Sequence, residues 1–320
     1  MALVGIARLA SQSELLETQR SLSYFEMPAR SILNRTKPHM PFQWTINPYR
    51  GCEFGCQYCY ARYTHEFMEM DARDFSDKIY AKSAAAHLLR QELGRVDRKE
   101  HIVIGTATDP YQPAERRFAR TRSILEVFVR ERGRRLGITT KSDLILRDLD
   151  LLRELARGNV LDVNFTITTL DESLARLLEP RATRPALRLA ALRKLAEAGI
   201  AVGVFANPVM PALTDGERQL DRLARAARNA GALWFDGAPL FLRPSARKVF
   251  LPLLEREFPK LLRLYRGLYA RSAFLGSEYK EMLRARVAGI RQRYRLEAGP
   301  IDYRPELGDG EEQGELFPLQ

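Results

Sequence analysis

An alternation of strand-like and helix-like segments runs from about residue 42 to residue 245. The strand-like segments are short apolar or β-branched runs over residues 43–47, 102–106, 136–140, 160–168, 200–206 and 233–240. Between them, apolar residues recur at helical spacing, for example at Leu189, Leu192 and Leu195. Strands that alternate with helices pair in parallel through right-handed crossovers. The alternation therefore predicts an α/β fold with a parallel sheet.

Glycines mark the ends of the predicted helices and so help to count the strand–helix units. A left-handed helix end lets the chain turn into the next strand, and glycines stand there at Gly133, Gly158, Gly199 and Gly231. Residues 41–245 leave room for about six units of roughly thirty residues, whereas a complete eight-unit barrel takes about 250 residues. We therefore predict a partial (βα)6 TIM-type barrel over residues 41–245. A doubly wound sheet is the alternative.

The rest of the chain divides into three predicted segments. Residues 1–40 are polar and contain Pro28 and Pro38, so they are predicted to be an irregular N-terminal extension. Residues 246–298 carry apolar residues at helical spacing and are predicted to be a helical C-terminal region. Residues 299–320 are rich in proline, glycine and acidic residues and are predicted to be a disordered tail.

The composition is that of a globular chain, with 45% hydrophobic and 28% charged residues. The longest weakly polar run, over residues 200–213, contains two prolines and is shorter than the roughly 18 residues of a membrane-spanning helix. The first twenty residues lack the pattern of a signal peptide. We therefore expect a cytoplasmic protein without a membrane partner.

The chain is basic, with a net charge of +11, which permits nucleic acid or another anionic partner. Only nine of the 51 basic residues are lysines, a skew that a GC-rich genome also produces. Four arginines follow the second predicted strand and are expected to line the mouth of a site and attract phosphate, unless they form a solvated helix face: Arg116, Arg117, Arg120 and Arg122.

The three cysteines of the chain, Cys52, Cys56 and Cys59, fall within eight residues directly after the first predicted strand. An odd and clustered set of cysteines is a poor disulfide framework. Three thiolates can instead hold three irons of a [4Fe-4S] cluster, which leaves the fourth iron open to a small molecule. Gly51 and Gly55 would let the backbone fold tightly around such a cluster. The alternative metal is zinc, for which His65 is the candidate fourth ligand.

The spacing C-x3-C-x-aromatic-C after a first barrel strand resembles the radical S-adenosylmethionine (radical SAM) superfamily. Further segments resemble its spore photoproduct lyase-like branch, the DNA repair photolyase-type group. They are residues 48–52 (PYRGC), 57–60 (QYCY), 105–113 (GTATDPYQP), 139–142 (TTKS) and 178–181 (LEPR). The resemblance covers about residues 41–245.

The resemblance implies a [4Fe-4S] cluster and S-adenosylmethionine as cofactors. In this family the cluster reductively cleaves S-adenosylmethionine, and the resulting 5′-deoxyadenosyl radical abstracts a hydrogen atom from the substrate. An external one-electron donor of the flavodoxin or ferredoxin type is implied as a partner. The first candidate substrate is a nucleic-acid lesion, and the alternative is the same chemistry on RNA, a peptide or a metabolite. A non-catalytic iron–sulfur or zinc module that binds nucleic acid is a third hypothesis.

The resemblance also assigns roles within the cysteine loop. Cys52, Cys56 and Cys59 match the cluster ligands. Tyr58 matches the family's aromatic contact to adenine. Tyr60 is expected to pack on the cluster or to line the substrate cavity. The alternative for both tyrosines is ordinary loop packing.

Five further residues at the predicted strand ends match cofactor contacts of the family. Thr108 and Asp109 match contacts to the amino-acid end of S-adenosylmethionine. Lys141 matches the partner of its carboxylate. Thr166 matches a ribose contact, and the backbone of Asn207 matches an adenine contact. A surface lysine and an ordinary strand residue are the alternatives for Lys141 and Thr166.

The chain departs from the spore photoproduct lyases at one position. Those enzymes use an additional cysteine near the strand-two loop to return a hydrogen atom to the product. Here the matching position is Thr106, and Tyr60 or Tyr111 is the candidate replacement. Arg181 and Arg184, after the fourth predicted strand, either bind an anion or lie on a solvated face.

Overall fold

The computed structural model describes residues 3–19, 21–38 and 40–300. The strands are β1 (Glu14–Gln19), β2 (Leu22–Met27), β3 (Leu33–Arg35), β4 (Trp44–Ile46), β5 (Tyr49–Arg50), β6 (Lys78–Lys82), β7 (His101–Ile104), β8 (Arg135–Thr140), β9 (Val160–Thr166), β10 (Ala201–Phe205) and β11 (Trp234–Asp236). The barrel helices and those before them are α1 (Gly5–Ser11), α2 (Tyr63–Glu66), α3 (Ala85–Leu93), α4 (Glu115–Phe118), α5 (Arg120–Val129), α6 (Leu149–Gly158), α7 (Glu172–Leu178), α8 (Pro185–Glu197) and α9 (Glu217–Asn229). The last helices are α10 (Pro244–Glu257), α11 (Pro259–Leu268) and α12 (Ser277–Tyr294). Short 3-10 helices cover Tyr60–Arg62, Ala72–Ser76 and Asp143–Asp148.

The main sheet has the strand order β11-β10-β9-β8-β7-β4-β3. Its strands from β4 to β11 are parallel and follow one another in space in the same order as in the chain. A doubly wound sheet reverses this order at a switch point, and this sheet does not. Right-handed crossovers then place the connecting helices on one face, so the sheet curls into part of a barrel. The predicted α/β partial (βα)6 barrel is confirmed.

Strand β9 shows how the two faces of this sheet differ. Val163 and Phe165 belong to the apolar core that packs against the helices. Because side chains alternate along a strand, Asp162, Asn164 and Thr166 face the barrel interior, and all three are buried. The interior face is therefore polar along this strand.

A tryptophan fills the barrel interior at the level of Asn164. Trp234 on β11 lies against Gly203 on β10, where a Cβ atom would fall well inside the contact distance of the indole ring. The Trp234 indole donates to Asn164 Oδ1 at 2.9 Å, and Asn164 Nδ2 donates to Asp162 Oδ2 at 2.7 Å. The interior is filled here, so a site that admits small molecules must lie nearer the carboxyl ends of the strands.

The N-terminal segment is not irregular as predicted, because residues 3–38 contain α1 and strands β1 to β3. β1 and β2 join β6 and β5 in a second sheet of order β1-β2-β6-β5. β2 buries Tyr24 and Met27, three residues apart, and β1 is exposed. Neither strand shows the alternation that identifies a strand from sequence, which explains the error. The second sheet ends with β5, directly before the cysteine loop.

The chain after the barrel forms the predicted helical C-terminal region, α10 to α12. Phe250, Leu254 and Tyr265 from this region pack in one apolar cluster with Cys56 and Tyr58. Helices α10 and α11 therefore pack against the cysteine loop. The exact divisions at residues 40, 245 and 298 stay predictions. Of the predicted disordered tail, residues 301–320 lie outside the described part of the chain.

Within the described ranges, no helix is long and apolar enough to cross a membrane.

We expect Gly203→Ala to lower the free energy of unfolding by about 1–3 kcal/mol, because the added methyl group overpacks the site of the Trp234 ring. Urea unfolding followed by far-ultraviolet circular dichroism measures the change. Gly289→Ala is the matched control, because this glycine lies in α12 with open space around it. The control should be stabilised by about 0.5–1 kcal/mol. Equal unfolding midpoints for Gly203→Ala and the unaltered protein would contradict the packing argument.

Candidate active site

The cysteine loop begins where β5 ends and is pressed against the second sheet. Gly51 has a φ of +80°, and a Cβ atom there would lie 2.6 Å from the carbonyl oxygen of Lys78. Gly55 has a φ of +65°. The Cys52 amide donates to the Phe75 carbonyl at 2.9 Å. Only glycine allows this close approach with a left-handed backbone; the tight fold around a cluster, for which the sequence singled out Gly51 and Gly55, stays a prediction.

Burial makes the three thiols poor acids in the absence of a cation. Cys52 and Cys56 are each 8% exposed, and Cys59 is half-buried. Burial raises the pKa of the Cys56 thiol to about 12, and the charge of Glu179 adds to this shift. Burial, reinforced by Asp109, also raises the pKa of Cys52. A bound metal deprotonates such thiols because the thiolate is its ligand.

Arg62 holds the cysteine loop through hydrogen bonds to backbone atoms. Its guanidinium is buried and donates to the carbonyl oxygens of Cys56 at 3.0 Å and Ala72 at 3.1 Å. It also donates to Ser76 Oγ at 3.2 Å. The loop backbone is thus held in place by a cation that also lies near the thiols, where it favours thiolate over thiol.

The donor set fits an iron–sulfur cluster better than zinc. A single zinc ion needs four ligands within about 2.3 Å, and the described residues contain no group of three or more His, Cys, Asp or Glu side chains placed to hold one metal ion. His65, the candidate fourth ligand, has its Nε2 3.0 Å from the Lys78 carbonyl oxygen and its ring edge-on to Phe75. A cubane cluster binds each thiolate at a different iron, so its ligands need not converge on one point.

The loop after β7 clamps the cysteine loop from the other side. Thr108 donates its hydroxyl to the Gly51 carbonyl at 2.6 Å, and Gln112 Nε2 donates to the same oxygen at 3.2 Å. Gln112 Oε1 accepts from the Glu53 amide at 2.9 Å. The hydroxyl of Thr108 is therefore used to hold the loop. Gln112 is fully buried and belongs to the segment 105–113 that carries the family resemblance, but the sequence assigned it no role of its own.

Asp109 joins the ends of two neighbouring strands. Its carboxylate accepts from the Thr140 hydroxyl at 2.8 Å, the Tyr111 amide at 2.9 Å and the Lys141 amide at 2.7 Å. Burial raises the pKa of Asp109, and these three hydrogen bonds oppose the shift. The carboxylate therefore fixes the backbone from which the Lys141 side chain leaves.

Glu179 is the centre of a buried polar network. Its carboxylate accepts hydrogen bonds from the Tyr58 hydroxyl, from Thr168 Oγ1 at 2.8 Å and from the Arg188 guanidinium. The Lys141 ammonium lies 4.0 Å away. Burial opposes the charge, but Arg188 and Lys141 hold the pKa of Glu179 below its ordinary value. Tyr58 and Lys141, predicted separately, thus meet at one carboxylate.

Arg188, which the sequence motifs do not single out, is the cation of this network. It is 1% exposed and donates to the carbonyl oxygens of Thr166 at 2.9 Å and Thr183 at 2.6 Å. It lies on α8 in line with the buried residues Ala191, Leu192 and Leu195. An arginine on the apolar face of a helix is the signal that identifies it.

Arg181 and Arg184, which were predicted either to bind an anion or to lie on a solvated face, lie outside this network. Arg181 donates to the Ser76 carbonyl at 2.9 Å and pairs with Asp77 at 3.1 Å. It is therefore bound to the end of the 3-10 helix Ala72–Ser76, which Arg62 also contacts. Arg184 is the residue before α8, and its backbone begins that helix.

Tyr60 lies at the edge of the site beside a group of aromatic rings. Its hydroxyl donates to the Thr106 carbonyl oxygen. Its ring lies 6.1 Å from Phe241, which stacks on Phe274 at 4.4 Å. We call Tyr60, Phe241 and Phe274 the mouth aromatics. All three are half-buried, and the Lys280 ammonium lies over Phe274 at 5.5 Å. Flat, partly exposed rings with a cation suit stacking against a planar group.

Thr166 and Asn207 complete the predicted set. Thr166 is buried on the interior face of β9, at the carboxyl end of that strand. Asn207 follows β10, and its Oδ1 accepts from the Ala238 amide at 2.7 Å. Both lie at the strand ends where the site was predicted, and their cofactor contacts stay predictions.

A partial barrel with three thiols in the loop after its first strand defines a class of proteins, and comparison with known proteins identifies the family. The model of the radical SAM superfamily matches residues 46–225. The uncharacterized protein Rv2578c of Mycobacterium tuberculosis is 37% identical over 324 residues, which cover 100% of this chain and 94% of that protein. The uncharacterized protein MJ0683 of Methanocaldococcus jannaschii is 28% identical over 244 residues, 75% of this chain and 85% of that protein.

Solved structures give the same fold. Spore photoproduct lyase complexed with dinucleoside spore photoproduct matches with a TM-score of 0.67 at 18% identity, over 85% of this chain and 79% of that one. A variant of that lyase with bound AdoMet and dinucleoside spore photoproduct matches with a TM-score of 0.66 at 16% identity over the same shares. The chain belongs to the radical SAM superfamily and resembles its spore photoproduct lyase-like branch.

We expect Glu179→Gln to lower the free energy of unfolding by about 3–5 kcal/mol, because it leaves the buried Arg188 without its counter-charge. Urea unfolding at pH 7 measures the loss. Glu154→Gln, which removes the partner of the exposed Arg157, is the control and should change the value by less than about 1 kcal/mol.

The same pair of proteins gives a pH test. The pKa of Glu179 is lowered in the folded protein from an ordinary value of 4.5, so its contribution is present above that value and is lost as the pH falls through the folded pKa. The stability difference between the unaltered protein and Glu179→Gln should therefore narrow in acid. A difference that grows on acidification would contradict an ionised Glu179.

Proposed function

We propose that this chain is a radical SAM enzyme that holds a [4Fe-4S] cluster on Cys52, Cys56 and Cys59 and acts on a nucleic-acid substrate. The observation that carries the proposal is the set of three thiols in one loop after the first barrel strand, two of them buried and one half-buried. When bound, the cluster supplies the electron that cleaves S-adenosylmethionine and starts hydrogen-atom abstraction. A flavodoxin- or ferredoxin-type donor supplies that electron, and we propose that the enzyme works in the cytoplasm.

The residues beside the loop have distinct tasks in this proposal. Lys141 binds the carboxylate of S-adenosylmethionine, and Asp109 positions Lys141 through its backbone amide. Tyr58 contacts the adenine while its hydroxyl is held by Glu179. Thr108 acts through Gly51 by holding the cysteine loop.

The far ends of the cofactor are assigned to two other strands. Thr166 contacts the ribose from the end of β9, and the backbone of Asn207 contacts the adenine after β10. Thr166 is buried, and burial around the reacting atoms keeps water away from reactive species.

Three observations support nucleic acid as the substrate class. The net charge is +11. The mouth aromatics can stack on a base. The fold resembles that of a lyase whose structures hold a dinucleoside photoproduct. RNA, a peptide or a metabolite remain the alternatives, and a non-catalytic nucleic-acid-binding module is the alternative outside enzymes.

Tyr60 is our candidate to return a hydrogen atom to the product, because the chain has no cysteine outside the loop. Its hydroxyl meets the Thr106 carbonyl, at the position matched to the lyases' additional cysteine. Tyr111, the other candidate, is fully buried.

We expect Cys56→Ala to abolish formation of 5′-deoxyadenosine from S-adenosylmethionine under dithionite while leaving a folded protein, because one cluster ligand is lost. The measurements are iron content after anaerobic reconstitution, expected at about four per chain before substitution, chromatography of the products and circular dichroism. Ser123→Ala, a hydroxyl removed from α5, is the control and should keep both iron and activity. Unchanged 5′-deoxyadenosine formation by Cys56→Ala would refute the ligand assignment.

The substrate class is tested by tracing deuterium from labelled candidates into 5′-deoxyadenosine by mass spectrometry. We expect transfer from a deuterated, lesion-containing oligonucleotide, because the attacked carbon gives up its hydrogen to the cofactor fragment. Transfer from a peptide or a metabolite instead would select the alternative substrates. A colourless zinc protein, or an iron-loaded protein that yields no 5′-deoxyadenosine, would favour the non-catalytic module.

A further inference from the structure

Two cations lie close together beside the cysteine loop without an anionic partner. Arg50 ends β5 and stands opposite Tyr80 of β6, and Lys82 lies two residues further along β6. Residues paired directly across antiparallel strands share a face, as do positions two apart, so both side chains leave the same face of the second sheet. Among the residues that the structure describes, no side chain forms a hydrogen bond or ion pair with either cation.

Both side chains are withdrawn from water. Lys82 is 7% exposed, and Arg50 is partly buried with its Nε shielded from solvent and unpartnered. Burial and, to a smaller extent, the charge of Arg50 lower the pKa of Lys82 to about 7, against the opposing effect of Glu92. Buried cations that repel each other destabilise the fold unless an anion joins them.

The carboxylate that acts on Lys82, that of Glu92, is already used elsewhere. Glu92 on α3 accepts from the backbone amides of Ile32 at 3.1 Å and Leu33 at 2.8 Å. It therefore fastens β3 to α3 and forms no ion pair with Lys82.

A helix N-terminus follows Lys82 directly in the chain and supplies further donors. The nine-residue helix α3 begins at Ala85, three residues after Lys82, and its N-cap residue Ala84 has a φ of +53° and provides no side-chain cap. The amides of the first helical turn have no partner within the helix and carry a partial positive charge. Such amides beside two cations form a setting for an oxyanion.

The cation pair borders the proposed active site. Arg50 stands two residues before Cys52, and Lys82 donates its amide to the Pro48 carbonyl at 3.1 Å. Arg50 lies close enough to Tyr63 to interact with it electrostatically, and the Tyr63 ring stacks on Tyr60 at 6.4 Å. The cation pair is therefore linked to Tyr60 through Tyr63.

We propose that Arg50, Lys82 and the amides at the start of α3 form a binding site for a phosphate group of the substrate. The proposal rests on the nucleic-acid substrate proposed above and adds the group by which that substrate is held. The phosphate belongs either to the chain of an oligonucleotide or to the end of a nucleotide.

The test measures binding of inorganic sulfate and phosphate to the cluster-loaded protein by calorimetry at constant ionic strength. We expect Arg50→Gln and Lys82→Met each to weaken sulfate affinity at least about tenfold, because each removes a charge-assisted hydrogen bond. Lys82→Arg should restore most of the affinity. The matched control is Arg193→Gln/Lys194→Met, which removes one arginine and one lysine from the exposed face of α8 and should leave sulfate affinity unchanged.

A second readout depends on Lys82 alone. Arg50 from β5 and Glu92 from α3 are the charged groups that act on it. Because sulfate binds the protonated lysine, affinity should be higher at pH 6 than at pH 8, and this dependence should disappear in Lys82→Met. Sulfate affinity that matches the control double variant in both single variants would overturn the site.

Oligonucleotides distinguish this proposal from the one on which it rests. A dinucleotide with a 5′-phosphate and one with only an internal phosphodiester identify the source of the phosphate, and either one that loses at least about tenfold affinity in Arg50→Gln supports the site. If sulfate behaves as expected but no oligonucleotide donates deuterium, the anion site stands and the nucleic-acid substrate falls. If oligonucleotides react equally well in Arg50→Gln, Lys82→Met and the unaltered protein, the phosphate site falls and the substrate stands.

Discussion

The buried ion pair between Glu179 and Arg188 is the contact on which the rest of the site depends. A carboxylate in the protein interior is tolerated only when several donors satisfy it. Here those donors come from three separate parts of the chain: the cysteine loop through Tyr58, the end of β9 through Thr168 and helix α8 through Arg188. The pair therefore fixes the distance between the first strand of the barrel and the fourth.

The cysteine loop itself is held by its backbone rather than by its thiols. Gly51 is gripped through its carbonyl oxygen by the loop after β7. On the opposite side, the backbone amide of Gln57 donates to the Leu178 carbonyl oxygen at 2.9 Å. The backbone amide of Arg181 donates to the Phe54 carbonyl oxygen at 3.2 Å. These hydrogen bonds hold the loop without using the thiols, so the sulfur atoms are left for the metal. Contacts of this kind lower the conformational cost of binding.

The sequence predicts the barrel well because hydrophobic periodicity and helix-ending glycines are local signals. The clustered spacing points to the cysteines, and the family resemblance points to Tyr58 and Lys141, whose cofactor contacts stay predictions. Neither assigns a role to Gln112 or Arg188, whose contacts are with residues about 60 and 9 positions away that only the fold brings together. The second sheet is missed for a related reason: β2 pairs in parallel with β6, more than fifty residues later, and pairing between distant segments leaves no periodic signal in either.

The placement of charge refines what a basic composition means for this chain. The arginines expected to line the mouth are in large part neutralised: Arg117 pairs with Glu17, Arg120 with Glu26, and Arg122 with acidic residues that include Asp148. These ion pairs connect helices α4 and α5 to the N-terminal strands and to the start of α6. Net charge attracts nucleic acid over long distances. Local binding of phosphate needs cations whose charge and hydrogen-bond donors are not already paired with other groups. In this fold we therefore expect the contact to phosphate at the ends of β5 and β6 rather than on the arginine-rich helices α4 and α5. There, the segment that the sequence suggested was irregular supplies β2, the neighbour that holds β6 in place.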